Sequence, residues 1–166
     1  MSLALHERTL IIIKPDGVAR GLIGEIISRF EKRGLSVVGM KMTRPERALA
    51  EEHYREHLGK DFYPPLLQFI TSGPVVVLCL EGLEAIRVAR AIVGPTLARE
   101  APSGTIRGDL ALSGRNNLIH ASDKPDSAER EIRLWFSPGE LLPPSGGSGA
   151  ASREWLYSDK EKGLNS

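Results

Sequence analysis

The run PVVVLCLEG at residues 74–82 constrains the fold of this chain more than any other stretch. Its apolar residues follow one another without interruption over the length of a strand, which is typical of a strand buried in a core. A second run, TLIII at residues 9–13, is rich in β-branched residues and is followed at once by Pro15, Asp16 and Gly17. Both runs predict buried strands, so the chain is expected to fold around a β-sheet.

Amphipathic segments separate these strands. From Leu22 to Phe30 the apolar residues recur with helical period, and Gly34 then ends the predicted helix. The stretch LSVVGMKM at 35–42 predicts another strand, and NLIH at 117–120 is a fourth candidate. Further helices are predicted over residues 46–58, 64–73, 83–93 and 127–136. This order predicts an α/β or α+β domain with helices packed on a sheet, and it leaves the strand order open.

Composition excludes several classes of protein. The chain has 166 residues, which suits one domain. Its 22 Lys and Arg residues nearly balance 21 Asp and Glu residues, and aromatic residues are 5% of the chain, so a specific nucleic-acid partner is not expected. The single cysteine, Cys79, predicts a core residue and a reducing, cytoplasmic location. No run reaches the roughly 20 apolar residues that cross a bilayer, and the N-terminus MSLALHERTL predicts no export signal.

The amino-acid composition changes in the last part of the chain. PPSGGSGAAS at residues 143–152 has the composition of a flexible linker. We therefore predict a domain over residues 1–142 and a linker with a C-terminal tail over residues 143–166. The tail is expected to dock through Trp155 and Tyr157 and then to fray.

The stretch NLIHASD places His120 beside two aliphatic residues. A histidine in this setting is ordinarily a hydrogen-bonded, inert residue. Glu131, on the helix predicted next, favours a different interpretation, because a carboxylate that holds one ring nitrogen leaves the other nitrogen free to act as a nucleophile. Ser122 is predicted to contact that carboxylate. Asp126 and Glu129 have the spacing of a capping box at the start of the same helix.

Candidate phosphate ligands lie apart in the sequence. Lys14 follows a predicted strand, Arg90 lies late in a predicted helix, and Thr96 and Arg107 fall in a long irregular stretch at 94–116. Taken alone these positions are weak evidence, because most charged residues only keep a surface hydrated. The other histidines match no motif and are predicted to lie on the surface: His6, His53 and His57.

Four stretches together closely resemble the nucleoside diphosphate kinases: TLIIIKPDGVARG, SGPVVVLCLEG, PSGTIRGD and NLIHASD. The resemblance covers about Glu7 to Leu142. Its most specific part is a histidine followed by a small residue, Ser and Asp, with Asn three residues before it. The resemblance implies a ferredoxin-like α/β (α+β) sandwich, in which helices cover a four-stranded antiparallel sheet, and nucleoside diphosphate kinase activity.

The reaction implied by the resemblance is a ping-pong transfer. His120 would take the γ-phosphoryl group of a nucleoside triphosphate and pass it to a nucleoside diphosphate. By matched motif, Lys14 would contact the phosphoryl group and the sugar, and Asn117 would bind the ribose 3′-hydroxyl. Tyr54 would steady the phosphohistidine.

The same resemblance assigns the rest of the nucleotide site. Arg90, Thr96 and Arg107 would bind the phosphates, with guanidinium groups suited to bidentate contacts. Phe62, with Leu66 beside it, would stack on the base, which implies broad base tolerance. Mg²⁺ would be held mainly by the nucleotide phosphates and water, because the sequence shows no cluster of carboxylates for a protein cage.

This chain departs from the family pattern at two places. Ala121 stands where many relatives have glycine, which is safe only if its backbone avoids positive φ. Asn116 stands where many relatives have an arginine, with Arg115 one residue earlier. This leaves open a structural role for that arginine, and which of residues 112–114 lies near the base.

The resemblance also bears on assembly. The segment with Pro102 resembles the one that joins subunits in hexameric members, and REWLY at 153–157 resembles their C-terminal ending. A hexamer is therefore favoured and a tetramer stays possible. The alternative function is a catalytically weak nucleotide-binding or scaffold protein on the same fold, since fold alone does not guarantee activity.

Overall fold

The two apolar runs are the central strands of the sheet. In the computed structural model, which describes residues 6–162, β1 (Glu7–Ile13) pairs with β3 (Val75–Gly82). β2 (Ser36–Thr43) flanks β3, and β4 (Ile119–Ala121) flanks β1. The order is β2-β3-β1-β4 and each pairing is antiparallel. This confirms the predicted α+β sandwich with a four-stranded antiparallel sheet.

Helices cover the sheet and fill its connections. They are α1 (Pro15–Ala19), α2 (Ile23–Arg33), α3 (Arg47–His53), α4 (Tyr63–Ile70), α5 (Ala85–Val93), α6 (Ile106–Leu110), α7 (Pro125–Trp135), α8 (Arg153–Leu156) and α9 (Asp159–Lys162). α2 ends as predicted, because Gly34 adopts φ 101°, a left-handed conformation that favours glycine. α3 is shorter than predicted and is followed by a 3₁₀ turn at Arg55–His57. α6 lies inside the stretch predicted to be irregular.

Helices on both faces explain why the central strands are continuously apolar. Along β1, Ile11 and Ile13 point into one buried layer, shared with α2 and α5, and Leu10 and Ile12 point into the other, shared with α3, α4 and α7. A strand buried on both faces needs apolar residues at successive positions rather than at alternate ones. Cys79 lies fully buried in the second layer, and burial raises the pKa of its thiol to about 12. The predicted core role of this cysteine is confirmed.

The predicted capping box of α7 is wrong. The helix begins at Pro125, with Lys124 at the N-cap and no side-chain hydrogen bond there. Proline suits this first position because its φ is already helical and it has no N–H to leave unpaired. Asp126 therefore lies inside the first turn, where its charge still faces the positive end of the helix dipole.

The segment after Leu142 packs against the sheet instead of forming the flexible linker that its composition predicts. Glu81, at the end of β3, is fully buried. Its carboxylate accepts hydrogen bonds from the guanidinium groups of Arg8 (2.9 Å) and Arg153 (2.6 Å) and from the backbone amide of Ser145 (2.9 Å). One buried carboxylate thus joins the N-terminal strand, the sheet and the C-terminal segment.

Small residues let this segment approach the edge strand closely. A Cβ atom on Gly147 would lie 2.6 Å from the carbonyl oxygen of Val37, so a larger residue would not fit. The predicted docking of the tail is right for Tyr157, whose hydroxyl accepts a hydrogen bond from the Leu83 amide (3.4 Å). It is wrong for Trp155, which is 90% exposed.

No helix within residues 6–162 combines the length and the apolar character needed to cross a membrane. Two predictions concern the ends of the chain. The absence of an export signal depends partly on residues 1–5, and the fraying of the tail concerns residues 163–166. Both lie outside the described residues.

Candidate active site

Because side chains alternate between the two faces of a strand, His120 points away from the core layer that Ile119 and Ala121 enter. It lies in the middle of β4, opposite Ile12 of β1. Ile119 and Ala121 point into the layer of α2 and α5, so His120 must point to the opposite face. There its ring meets the ring of His53 edge to face, with centroids 4.6 Å apart. Its side chain is 23% exposed, so the ring is open to solvent.

Glu131 holds one nitrogen of this imidazole. The carboxylate lies on the second turn of α7, only 3% exposed, and its Oε1 pairs with His120 Nε2. Nδ1 of His120 makes no hydrogen bond within residues 6–162. The predicted contact of Ser122 with Glu131 is wrong, because Ser122 continues the pairing of β4 with β1. Its hydroxyl bonds to the amide (3.3 Å) and carbonyl (3.4 Å) of Leu10.

His53 belongs to the site, and its predicted surface position is wrong. It lies at the end of α3, 4% exposed. Trp135 donates its indole N–H to His53 Nδ1 (3.0 Å), and Nε2 of His53 lies 3.7 Å from Glu131 Oε1. The helical spacing of Ala50, His53 and Tyr54, all buried, carries the signal that the sequence analysis missed.

His6 and His57 are both partly buried. His6 Nε2 bonds to the Ser145 hydroxyl (3.1 Å), and the ring of His57 lies beside Phe62 with centroids 5.2 Å apart. Neither is a free surface residue, because His6 contacts the C-terminal segment and His57 contacts Phe62.

Lys14 is fixed by its position directly after β1. The side chain is 7% exposed, and its Nζ donates to Oδ1 of Asn117 (2.8 Å). Burial, and then the charge of Arg107, lower the pKa of Lys14 to about 8, while Asp16 acts in the opposite direction. The Asn117 amide nitrogen donates to the carbonyls of Thr96 (3.0 Å) and Gly114 (2.9 Å), so Asn117 holds Lys14 in place.

A tight turn precedes the histidine. The amide of Ile119 donates to the carbonyl of Asn117 (2.9 Å), and Leu118 between them has φ 73°. Such a conformation costs about 1–3 kcal/mol in a non-glycine residue and is found preferentially at functional sites. The Leu118 amide donates to the Asp16 carboxylate (3.1 Å), which holds the turn. Ala121 lies in regular strand without positive φ, so alanine is tolerated there.

Two guanidinium groups border the space beside His120. Arg107 is 6% exposed and donates to the carbonyls of Asn117 (3.2 Å), Gly94 (3.0 Å) and Ile119 (2.6 Å). A guanidinium has five N–H groups, so two remain for a ligand. Arg90 donates to the carbonyl of Ala121 (3.1 Å). Burial, and then the nearby charge of Arg90, lower the pKa of Arg107 to about 10.

These groups surround one cavity of about 730 Å³. Of the predicted site residues, all except Ser122 line it: Lys14, Tyr54, Phe62, Leu66, Arg90, Thr96, Arg107, Asn117, His120 and Glu131. Phe62 is 51% exposed at its rim. Of residues 112–114, Ser113 and Gly114 line the cavity, and Leu112 is 81% exposed.

Tyr54 lies under His53, with ring centroids 4.5 Å apart. It is 6% exposed, and its hydroxyl is buried without a hydrogen-bond partner among the described residues. Burial, and then the charge of Glu131, raise the pKa of this hydroxyl, so Tyr54 stays protonated. It is available as a hydrogen-bond donor.

The cavity fits phosphate oxygens better than a bare metal ion. His53, His120 and Glu131 offer ligand atoms within 4.8 Å of one another. However, Nδ1 of His53 accepts the Trp135 N–H, so the proton of the neutral ring lies on Nε2 and that nitrogen has no lone pair for a metal. Lys14, Arg90 and Arg107 add positive charge. A metal ion is therefore expected only together with an anionic ligand.

Comparisons with known proteins identify the family of this chain. The nucleoside diphosphate kinase family profile matches residues 7–141. The chain is 57% identical to the nucleoside diphosphate kinase of Staphylothermus marinus over 136 residues, which cover 82% of this chain and 96% of that protein. It is 59% identical to that of Thermococcus kodakarensis over 154 residues, which cover 91% of this chain and 86% of that protein.

A solved structure gives the same result. The nucleoside diphosphate kinase of Halobacterium salinarum in complex with CDP superposes with a TM-score of 0.86 at 46% identity, covering 92% of this chain and 99% of that one. Sequence and structure together show that this chain belongs to the nucleoside diphosphate kinase family.

Proposed function

We propose that this protein transfers the γ-phosphoryl group of nucleoside triphosphates to nucleoside diphosphates through a phosphohistidine at His120. The observation that supports this most directly is the pairing of Glu131 with His120 Nε2 beside a cationic cavity. With its proton on Nε2, the neutral imidazole has its lone pair on Nδ1. Nδ1 is therefore the nucleophile.

The bonds change in two equivalent steps. The Nδ1 lone pair attacks the γ-phosphorus, the bond from that phosphorus to the bridging oxygen breaks, and the nucleoside diphosphate leaves with those electrons. A terminal oxygen of a second nucleoside diphosphate then attacks the phosphohistidine, and the phosphorus–nitrogen bond breaks. Glu131 stabilises the positive charge that the ring acquires in each transition state.

Different cavity residues bind different parts of the nucleotide. Lys14, Arg90 and Arg107 neutralise the phosphates and spread the charge of the transferring group. The remaining lone pair of the Asn117 oxygen faces the ribose hydroxyl, and the Thr96 hydroxyl adds a phosphate contact. Tyr54 donates its hydroxyl to the phosphorylated ring.

The base is bound by contact rather than by hydrogen bonding. It stacks on Phe62 beside Leu66, which gives broad tolerance because every base has an apolar face. Mg²⁺ would be held mainly by the nucleotide phosphates and water, and would there neutralise part of the phosphate charge. No carboxylate cage is needed for it.

We also propose a cytoplasmic homo-oligomer, with a hexamer favoured over a tetramer, and a catalytic domain over residues 1–142. Exposed apolar residues support assembly, among them Met40 and Met42 on the edge strand β2, each 59% exposed, and Trp155. Light scattering of the purified protein tests the subunit number.

Trapping the phosphoenzyme tests the proposed reaction. Protein incubated with γ-labelled ATP and Mg²⁺ is expected to carry one acid-labile, base-stable phosphate on His120, located by peptide mapping. Addition of GDP, TDP or CDP should transfer the label to the nucleotide. Label that stays on the protein after GDP is added would favour the scaffold function instead.

Nucleotide affinity is expected to fall as the pH rises above about 8. The protonated form of Lys14 binds phosphate, and its pKa of about 8 means that the proton is lost above that pH. Because the nucleotide phosphates are already fully ionised there, one lost charge weakens binding by up to about tenfold per pH unit. Calorimetric titration of ADP between pH 7 and 9.5 measures this slope. A Lys14→Met variant should bind more weakly and without the slope.

A further inference from the structure

We propose that His53 is a positioning residue for phosphoryl transfer, which donates its Nε2–H to Glu131 and so holds that carboxylate against His120. The inference rests on the function proposed above and adds a residue to it. Nε2 of His53 is buried and has no hydrogen-bond partner among the described residues.

Trp135 fixes the tautomer of His53. The indole nitrogen lies 3.0 Å from His53 Nδ1. An indole nitrogen only donates, so Nδ1 must present its lone pair. In the neutral ring the proton then resides on Nε2, which makes Nε2 a donor directed away from Trp135.

The surroundings keep this ring neutral. His53 is 4% exposed. Burial first, and then the charges of His120, Arg130, Lys14 and His57, hold the pKa of His53 well below its ordinary value. His53 therefore supplies a hydrogen bond without supplying a charge.

Glu131 is the acceptor that the geometry offers. Its Oε1 lies 3.7 Å from His53 Nε2 and is also the atom that pairs with His120. An N–H···O hydrogen bond is about 2.9 Å long, so an approach of about 0.8 Å closes the contact. A carboxylate oxygen has lone pairs for two donors. The same oxygen can thus accept from both histidines.

A neutral donor suits this position. A buried lysine or arginine at this place would neutralise Glu131 and reduce its attraction for the ring of His120, which gains positive charge during transfer. A neutral N–H fixes the direction of the carboxylate and leaves its charge available. His53 thereby acts through Glu131 and does not touch the substrate.

Three variants separate this role from packing. His53→Leu removes the donor and keeps an apolar side chain in the core. His53→Gln places an amide N–H near the position of Nε2, and His53→Asn keeps a polar group near Nδ1 that does not reach Glu131. The measurement is the rate of phosphoenzyme formation from ATP in single turnover, with ADP affinity and thermal unfolding measured in parallel.

The leucine and asparagine variants are expected to form the phosphoenzyme about tenfold more slowly than the wild type, with unchanged ADP affinity. His53→Gln should restore the rate to within about threefold. In an otherwise Glu131→Gln protein, His53→Leu should change the rate by less than about twofold, because its effect passes through the carboxylate. Nuclear magnetic resonance of the wild-type ring should show the proton on Nε2.

Equal rates for the wild type and His53→Leu would overturn the positioning role while leaving the proposed function intact. So would a glutamine variant as slow as leucine, or a full effect of His53→Leu in the Glu131→Gln protein. A wild-type protein that forms no phosphoenzyme at all would overturn both proposals. The wild-type reaction is therefore run first, because it shows whether the proposed function holds before the variants test the role of His53.

Discussion

Replacement of His120 by alanine is expected to abolish phosphoenzyme formation and to reduce nucleotide phosphorylation by a factor on the order of 10⁴ or more. The reason is chemical. Nδ1 of His120 is the atom proposed to form the bond to phosphorus, and His53, the nearest other imidazole, is protonated at Nε2 and bonded to Trp135 at Nδ1.

The same variant should keep its fold and its affinity for ADP. His120 is partly exposed, and Lys14, Arg90 and Arg107 remain to bind phosphate. Isothermal titration and circular dichroism measure both properties. His6→Ala is the matched control, because His6 contacts Ser145 in the C-terminal segment and should label normally. Full turnover by the His120→Ala protein would show that the assignment of the nucleophile is wrong.

Replacement of Glu81 by alanine is expected to lower the free energy of unfolding by about 3–5 kcal/mol. The carboxylate is fully buried between Arg8 and Arg153, and its loss leaves two guanidinium groups without their acceptor. The Ser145 amide loses the same acceptor. Urea denaturation measures the change, and limited proteolysis should cut the variant first within residues 143–166.

An exposed ion pair provides the control for this effect. Glu51 pairs with Arg47 at 2.7 Å on the surface of α3. Glu51→Ala should cost no more than about 0.5 kcal/mol, because solvent screens such pairs. If the two variants lose equal stability, the buried carboxylate does not anchor the C-terminal segment.

The pH dependence of stability gives a second check on Glu81. Burial opposes ionisation, but hydrogen bonds from Arg153, the Ser145 amide and Arg8 together lower the pKa of Glu81 below its ordinary value of 4.5. The carboxylate therefore stabilises the fold fully above that value, and this contribution is lost as the pH falls through the lower folded pKa. Glu81→Gln should flatten this acid part of the stability profile.

The secondary structure was predicted correctly where it depends only on residues that are neighbours in the sequence. The apolar runs of β1 and β3 predicted buried strands, since a strand covered on both faces must be apolar at successive positions. Gly34 predicted the end of α2 because a left-handed residue there favours glycine. The capping box failed because Pro125 already provides a helix start.

Sequence predictions were wrong where a residue's position depends on partners far away in the chain. The glycine and serine residues at 143–152 have a flexible composition, yet the buried carboxylate of Glu81 fixes this segment. His53 matched no motif, yet the packing of α3 and α7 buries it between Trp135 and Glu131. The hydroxyl of Ser122 forms its hydrogen bonds with the main chain of Leu10 on the neighbouring strand β1, and not with Glu131.

The sequence by itself determined the approximate positions of the strands, the family of the chain and ten of the residues that line the cavity, because short motifs carry that information in the order of neighbouring residues. The tertiary structure alone decided which face of β4 carries His120 into the cavity, which nitrogen Glu131 holds, and where the C-terminal segment lies. These depend on strand pairing and on contacts between residues up to 139 positions apart, which no local pattern encodes.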